Sequence, residues 1–143
     1  MTQVADLLAG RLPMAVFSFI QGMNISVVDA GLAEELGPHP ALLPRKIGFG
    51  TRNARFAAAM TVDQAHAAIR AGMEIADTMP GNVLACAGIG FGSHESASLV
   101  ISRIAELPIA ALVSSGKAPP TDALLGVLDA VRARHEAVTD PVE

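Results

Sequence analysis

The chain has no tryptophan, no tyrosine and only five phenylalanines. Single-stranded nucleic acid is usually held on stacked aromatic side chains within a positively charged groove. Both parts are missing here, since 10 Lys and Arg face 14 Asp and Glu, for a net charge of −4. No nucleic-acid partner is expected from such a composition. A single cysteine excludes an intramolecular disulfide and a multi-cysteine zinc site. The histidines, His39, His66, His94 and His135, show no metal-type spacing, so no metal is expected. Long apolar runs are lacking as well. The longest near the start covers residues 14–20, whereas a bilayer span needs about 20 residues. No basic segment precedes that run as it would in a signal peptide. The expectation is a cytoplasmic protein with no membrane partner.

What is present is a globular composition. The 143 residues are 51% apolar and 17% charged, which suits one folded domain and excludes disorder. Val4, Leu7 and Leu8 share a helix face, and a second short helix is predicted over 13–21. Residues 24–30 are rich in β-branched side chains and read as a buried strand. Residues 31–56, punctuated by proline and glycine, read mostly as a functional or partner-facing loop. Thr61 and Gln64 match a capping box that opens a helix to about Met79, with Ala65, Ile69, Met73 and Ala76 at helical spacing. Residues 82–87 read as a second buried strand and 109–113 as a third. Helices are predicted over 93–106 and 121–136. Strands alternating with helices give an α/β class with a mainly parallel sheet.

Three loops could carry chemistry. In the first, Gly88, Ile89, Gly90, Gly92 and Ser93 lie between a predicted strand and a helix. Glycines there let backbone N–H groups approach a phosphate at the helix N-terminus. The glycines alternate, so the dinucleotide fingerprint is not met; a tight packed turn is the other reading. The second runs from Ser114 to Lys117 and could offer hydroxyls and an ammonium, although it is not a Walker A loop. The third holds Thr51, Arg52, Asn53 and Arg55, with an exposed basic loop as the alternative. Asp29 ends the first strand, where a carboxylate can hold a loop or face a ligand. Cys86 ends the predicted second strand, and a lone buried cysteine is usually inert. No paired carboxylates and no Ser/His/Asp order can be assembled, so no catalytic residue is assigned.

These residues form an ordered series: 27–31, Lys46 and Ile47, Gly50 to Asn53, Ala59 to Thr61, then Gly88 to Gly90. The series resembles the nicotinate-nucleotide:dimethylbenzimidazole phosphoribosyltransferases of the CobT type, across about the whole chain. The resemblance implies a three-layer α/β/α fold, no metal and no cofactor. It implies a homodimer, or a heteromer with a related chain. The implied reaction moves phosphoribose from nicotinate mononucleotide to a benzimidazole-type base, in the making of the lower cobalamin ligand. The implied partners are thus a small nucleotide and an aromatic base. Gly88, Ile89, Gly90, Gly92, Ser93 and Lys117 would hold the nucleotide phosphate, and Gln3 would contact the base.

The departures point to an alternative, a relative without catalysis that binds a nucleotide or base or serves as a partner subunit. Where the family reads Gly-Glu-Met-Gly-Ile-Gly-Asn-Thr-Thr, this chain has Cys86 for the glutamate and Phe91 and Gly92 for polar residues. Val127 stands where a family helix carries lysine. The resemblance also describes residues 1–143 as one domain without the family's N- and C-terminal segments, the latter bearing its general-base glutamate.

Overall fold

The computed structural model describes residues 2–113, 121–134 and 136–137. It resolves into two compact units, Met1–Thr51 with Asp63–Val83 and Arg52–Val62 with Leu84–Glu143. The order of elements is α1 (Thr2–Leu8), α2 (Pro13–Ile20), β1 (Val27–Asp29), β2 (Leu42–Pro44), α3 (Val62–Thr78), α4 (Ser93–Ile104), α5 (Ile109–Val113) and α6 (Asp122–Arg134).

The first unit is built on a two-stranded parallel ladder. β1 pairs with β2 in the register Val27 to Leu42, Val28 to Leu43 and Asp29 to Pro44. The expected 24–30 strand is therefore real but shorter, and residues 31–56 contain a strand that their prolines concealed. Helix α1 ends at Leu8, and Gly10, two residues on, has a φ of 69° that suits glycine. Arg11 then folds back onto Asp6, 2.6 Å away. Pro13 opens α2 at a position where its missing N–H costs nothing. Residues Gln3–Ile20 average a hydropathy of 1.3 over 18 residues, but the break at Gly10 divides them into helices of 7 and 8 residues. Neither reaches the length of a membrane span. In α3 the inward side carries Gln64, Ala67, Ala71 and Ile75, all half-buried, while Ile69 and Met73 face outward.

The second unit has the apolar core. Ile109, Val113 and Leu128 are buried together, with Leu99 and Leu124 packed against them. α4 presents Ser98 and Ser102 to this core, both buried, and such small side chains let helices approach closely. Ser102 Oγ donates to the Leu107 carbonyl at 2.6 Å, which satisfies it inside the protein.

Two expected strands are absent. Residues 109–113 form helix α5 instead. A five-residue apolar run cannot be told from a buried helix by periodicity. Here Ile109 and Val113, four residues apart, share the buried face. Residues 82–87 form no strand and are exposed throughout, because an apolar run becomes a strand only where a neighbour accepts its backbone bonds. Cys86, expected to be buried, is exposed as a result. The structure is thus α/β with a small parallel sheet.

Truncating Leu128 to Ala should lower unfolding free energy by about 2–4 kcal/mol. Glu106, which follows α4 with φ 54°, sits where glycine is favoured, so Glu106→Gly should stabilise by about 0.5–1 kcal/mol. Urea titration followed by far-ultraviolet circular dichroism checks both, as the chain has no tryptophan to report by fluorescence.

Candidate functional site

In the first unit the polar groups converge on Asp29, at the C-terminal end of β1. Its side chain is only 6% exposed. Oδ1 accepts the Leu32 N–H at 2.9 Å and the Gly31 N–H at 3.1 Å, closing the loop that leaves the strand. Oδ2 lies 3.4 Å from Lys46 Nζ. That ammonium also donates to the Glu34 carbonyl at 2.7 Å and sits 3.5 Å from Glu35 Oε2. It stands 4.4 Å above the centre of the Phe49 ring, within cation–π range. Burial works to raise the Asp29 pKa, but the Leu32 N–H and the Lys46 ammonium outweigh it and hold the carboxyl below its usual value. The backbone tightens the same knot. The Gly50 N–H donates to the Gly31 carbonyl at 2.9 Å, and a Cβ on Gly31 would meet the Gly48 carbonyl at 3.3 Å. A pocket of about 330 Å³ opens beside this pair, lined by Asp29, Glu35, His39, Leu42 and Lys46 among others.

Gln3 and Thr51 belong to the same unit and are exposed, Gln3 on α1 and Thr51 at the end of the glycine-rich loop. Among the described residues no hydrogen bond joins either to Asp29. In the sequence Lys46 stands out only as a member of an ordered series. Its role stays hidden there because β2, which brings it alongside Asp29, is only three residues long.

The second unit holds the glycine turn. Gly88, Ile89, Gly90, Gly92 and Ser93 are all exposed and lead directly into α4. Gly92 takes the N-cap position with φ 69° and offers no side chain to the helix. The first-turn N–H groups of α4 have no acceptor within the helix, and they face the turn that precedes them. Ser93 Oγ donates to the Gly90 carbonyl at 3.0 Å, which folds the turn on itself. Around Gly90 the nearest atom to an added Cβ is Ser93 Cβ at 3.9 Å, so the space over the turn is open. Glu95 supplies the acid in the first turn.

Asn53 is held by its own loop, its Oδ1 accepting the Arg55 N–H at 3.0 Å. Arg134 of α6 clamps that loop, donating to the Arg55 carbonyl at 2.9 Å and the Phe56 carbonyl at 2.6 Å. No hydrogen bond joins Asn53, Cys86 and the glycine turn to one another among the described residues. Residues 114–117, with Lys117, lie outside the described residues. Among those described, no three His, Cys, Asp or Glu side chains gather as a metal site.

In chemical terms, the turn before α4 offers backbone donors to an anion, and the Asp29–Lys46 pair fixes the mouth of a parallel ladder. Asp29 stabilises the fold while it is ionised. Because its folded pKa lies below the usual value of about 3.9, that contribution is present above about pH 4 and is lost as pH falls through the folded pKa. Asp29→Asn should therefore cost about 1–3 kcal/mol at pH 7. The gap to the parent should narrow below about pH 4, read from urea titrations at pH 7 and pH 3.

Comparison with known proteins gives a consistent result. A family described as phosphoribosyltransferase matches residues 1–143. A nicotinate-nucleotide–dimethylbenzimidazole phosphoribosyltransferase of Variovorax paradoxus (strain S110) is 33% identical over 143 residues, covering 98% of this chain and 41% of its own. One from Janthinobacterium sp. (strain Marseille) is 34% identical, covering 94% and 40%. Two crystal structures from Thermus thermophilus superpose well. One is of nicotinate-nucleotide-dimethylbenzimidazole phosphoribosyltransferase, with TM-score 0.78 and 29% identity, covering 98% of this chain and 42% of its own. The other is of CobT, with TM-score 0.80 and 28% identity, covering 98% and 43%. The chain spans about two fifths of the length of the curated relatives it matches.

Proposed function

The chain belongs to the phosphoribosyltransferase family, and from that premise we propose that it acts in cobalamin lower-ligand metabolism. It would move phosphoribose from nicotinate mononucleotide to a benzimidazole-type base and release nicotinate. The observation that supports this most is the family match over all 143 residues. The open turn ahead of α4 gives that match a physical counterpart in this chain. The nucleotide phosphate sits at Gly88, Ile89, Gly90, Gly92 and Ser93, held by backbone N–H groups and the positive end of α4. Lys117 adds a cation, and Gln3 contacts the base.

Catalysis of this kind rests on placing donor and acceptor and on stabilising positive charge that develops on the ribose. In this proposal Asp29 and Lys46 act through the loop they hold rather than by touching substrate. The three-layer α/β/α arrangement as one domain, a cytoplasmic location, and a homodimer or a heteromer with a related chain belong to the same proposal.

Incubation with nicotinate mononucleotide and dimethylbenzimidazole should release nicotinate and form the ribosylated base phosphate, followed chromatographically. At Gly90 an added Cβ meets nothing nearer than the Ser93 Cβ at 3.9 Å, an ordinary contact, so the effect of Gly90→Ala reports on the ligand. That substitution should weaken nicotinate mononucleotide about tenfold, which is about 1.4 kcal/mol. Binding without turnover would identify the non-catalytic alternative, and no binding of either compound would overturn both.

A further inference from the structure

Residues 82–87, Asn-Val-Leu-Ala-Cys-Ala, link α3 to α4. They have the apolar composition of a strand and none of its bonds. Residues 83–87 form neither helix, strand nor turn, and 82–87 are exposed throughout. Val83 is 88% exposed and Leu84 51%. Among the described residues no backbone hydrogen bond joins 82–87 to any partner. Their side chains add nothing to a core either. The buried hydrophobic side chains among the described residues are Ile109, Val113, Leu128 and Val131, all in the second unit.

Free N–H and C=O groups along an apolar segment are a template for another strand. The limits of such a strand are marked in the chain. Pro80 has no N–H to give a ladder. Gly81 has φ 110°, outside the extended region. From Gly88 to Gly92 every second residue is glycine, which weakens a strand. Charge favours a partner of the same kind. No Asp, Glu, Lys, Arg or His lies between Asp77 and His94. Two copies of the segment therefore meet without like-charge repulsion, although each chain carries a net charge of −4. Apolar, uncharged and free of proline, the segment has the composition with which identical segments pair.

We propose that residues 82–87 become a strand by pairing antiparallel with the same residues of a second copy of this chain. A two-fold axis puts one segment on both sides of a single contact, and antiparallel pairing is the more stable form per residue. The ladder supplies the backbone partners that the segment lacks alone. It stops before the glycine turn ahead of α4 and leaves the donors of that turn open. A strand this short buries less than a standard interface of about 800 Å² per partner, so the dimer depends on concentration. The inference gives the assembly part of the preceding proposal a surface. It rests on the unpaired backbone and not on phosphoribosyl transfer.

Sedimentation velocity of the 143-residue chain over a range of concentrations should show a monomer–dimer equilibrium. Added salt should not weaken it, since no ion pair takes part. Leu84→Pro removes an N–H from the ladder and should weaken the dimer at least about tenfold. Val83→Thr keeps a β-branched side chain and should change the dissociation constant by less than about threefold. Phe17→Ser, on exposed α2, should leave the dimer intact. Far-ultraviolet circular dichroism of each variant at low concentration should match the parent, because all three side chains are exposed. Hydrogen exchange at residues 83–87 should slow as concentration rises. Nitroxides attached to Cys86 of the two copies should lie within about 20 Å, as paired strands are about 4.8 Å apart and each residue advances about 3.3 Å. A monomer at millimolar concentration overturns the proposal. So does a dimer indifferent to Leu84→Pro, one lost with Phe17→Ser, one whose 83–87 amides stay unprotected, or open-ended fibrils in place of a dimer. None of these readouts uses substrate, so failure here and failure of the proposed activity are distinguishable.

Discussion

The first unit depends on one ammonium group. Lys46 Nζ reaches the buried carboxylate of Asp29, the carbonyl of Glu34 and the ring of Phe49. Those three partners belong to the end of β1, the loop that follows it and the glycine-rich segment beyond β2. The ladder of β1 and β2 has three residue pairs, which is too short to hold such loops by backbone bonding alone. With no described apolar side chain buried in this unit, directional polar contacts set its loop geometry. The parallel arrangement fits this, since it places the carboxyl ends of both strands side by side, where an acid on one and a lysine just after the other can meet.

The second unit solves the same problem differently. Three helices share a small apolar cluster, and serines on α4 allow the close approach. Its loops are tied by carbonyl contacts. Arg134 holds residues 55 and 56, and Arg103 donates to the Glu136 carbonyl at 2.8 Å. A guanidinium has several donors in a fixed plane, so one side chain can hold two successive carbonyls. Among the described residues the turn ahead of α4 carries no such clamp, which leaves its backbone donors open.

Much of this is legible in the chain itself. Two of the three long helices announce their limits: Asp63 in the first turn of α3, Pro80 and Gly81 after it, and Thr121, whose Oγ1 accepts the Leu124 N–H at 3.2 Å ahead of α6. The strand at Val27–Asp29 follows from its β-branched residues, and Asp29 stands out by its position at the strand end. The pattern misplaces strands at 82–87 and 109–113 because local pattern does not report pairing. An apolar run needs a neighbouring ladder to extend and a packed face to coil. Lys46 is not legible as a partner of Asp29, as 17 positions separate them in the numbering and only β2 closes that distance. The glycine turn is legible in place and composition. The hydrogen bond that turns Ser93 inward, onto Gly90, is not.

α4 carries a last consequence. Its side chains of lowest exposure are serines, while Val100, Ile101 and Ile104 stand on the solvent side, 54%, 47% and 62% exposed. Apart from Leu99, which packs on the core, the helix reverses the ordinary amphipathic arrangement. Tolerance to mutation should follow the same inversion. An extra methyl at position 102, which has no free surface at all, presses on the neighbouring helices, whereas a hydroxyl at position 104 replaces a side chain that is 62% exposed. Hydropathy ranks those two changes in the opposite order, so sequence variation along this helix has to be scored by position rather than by polarity.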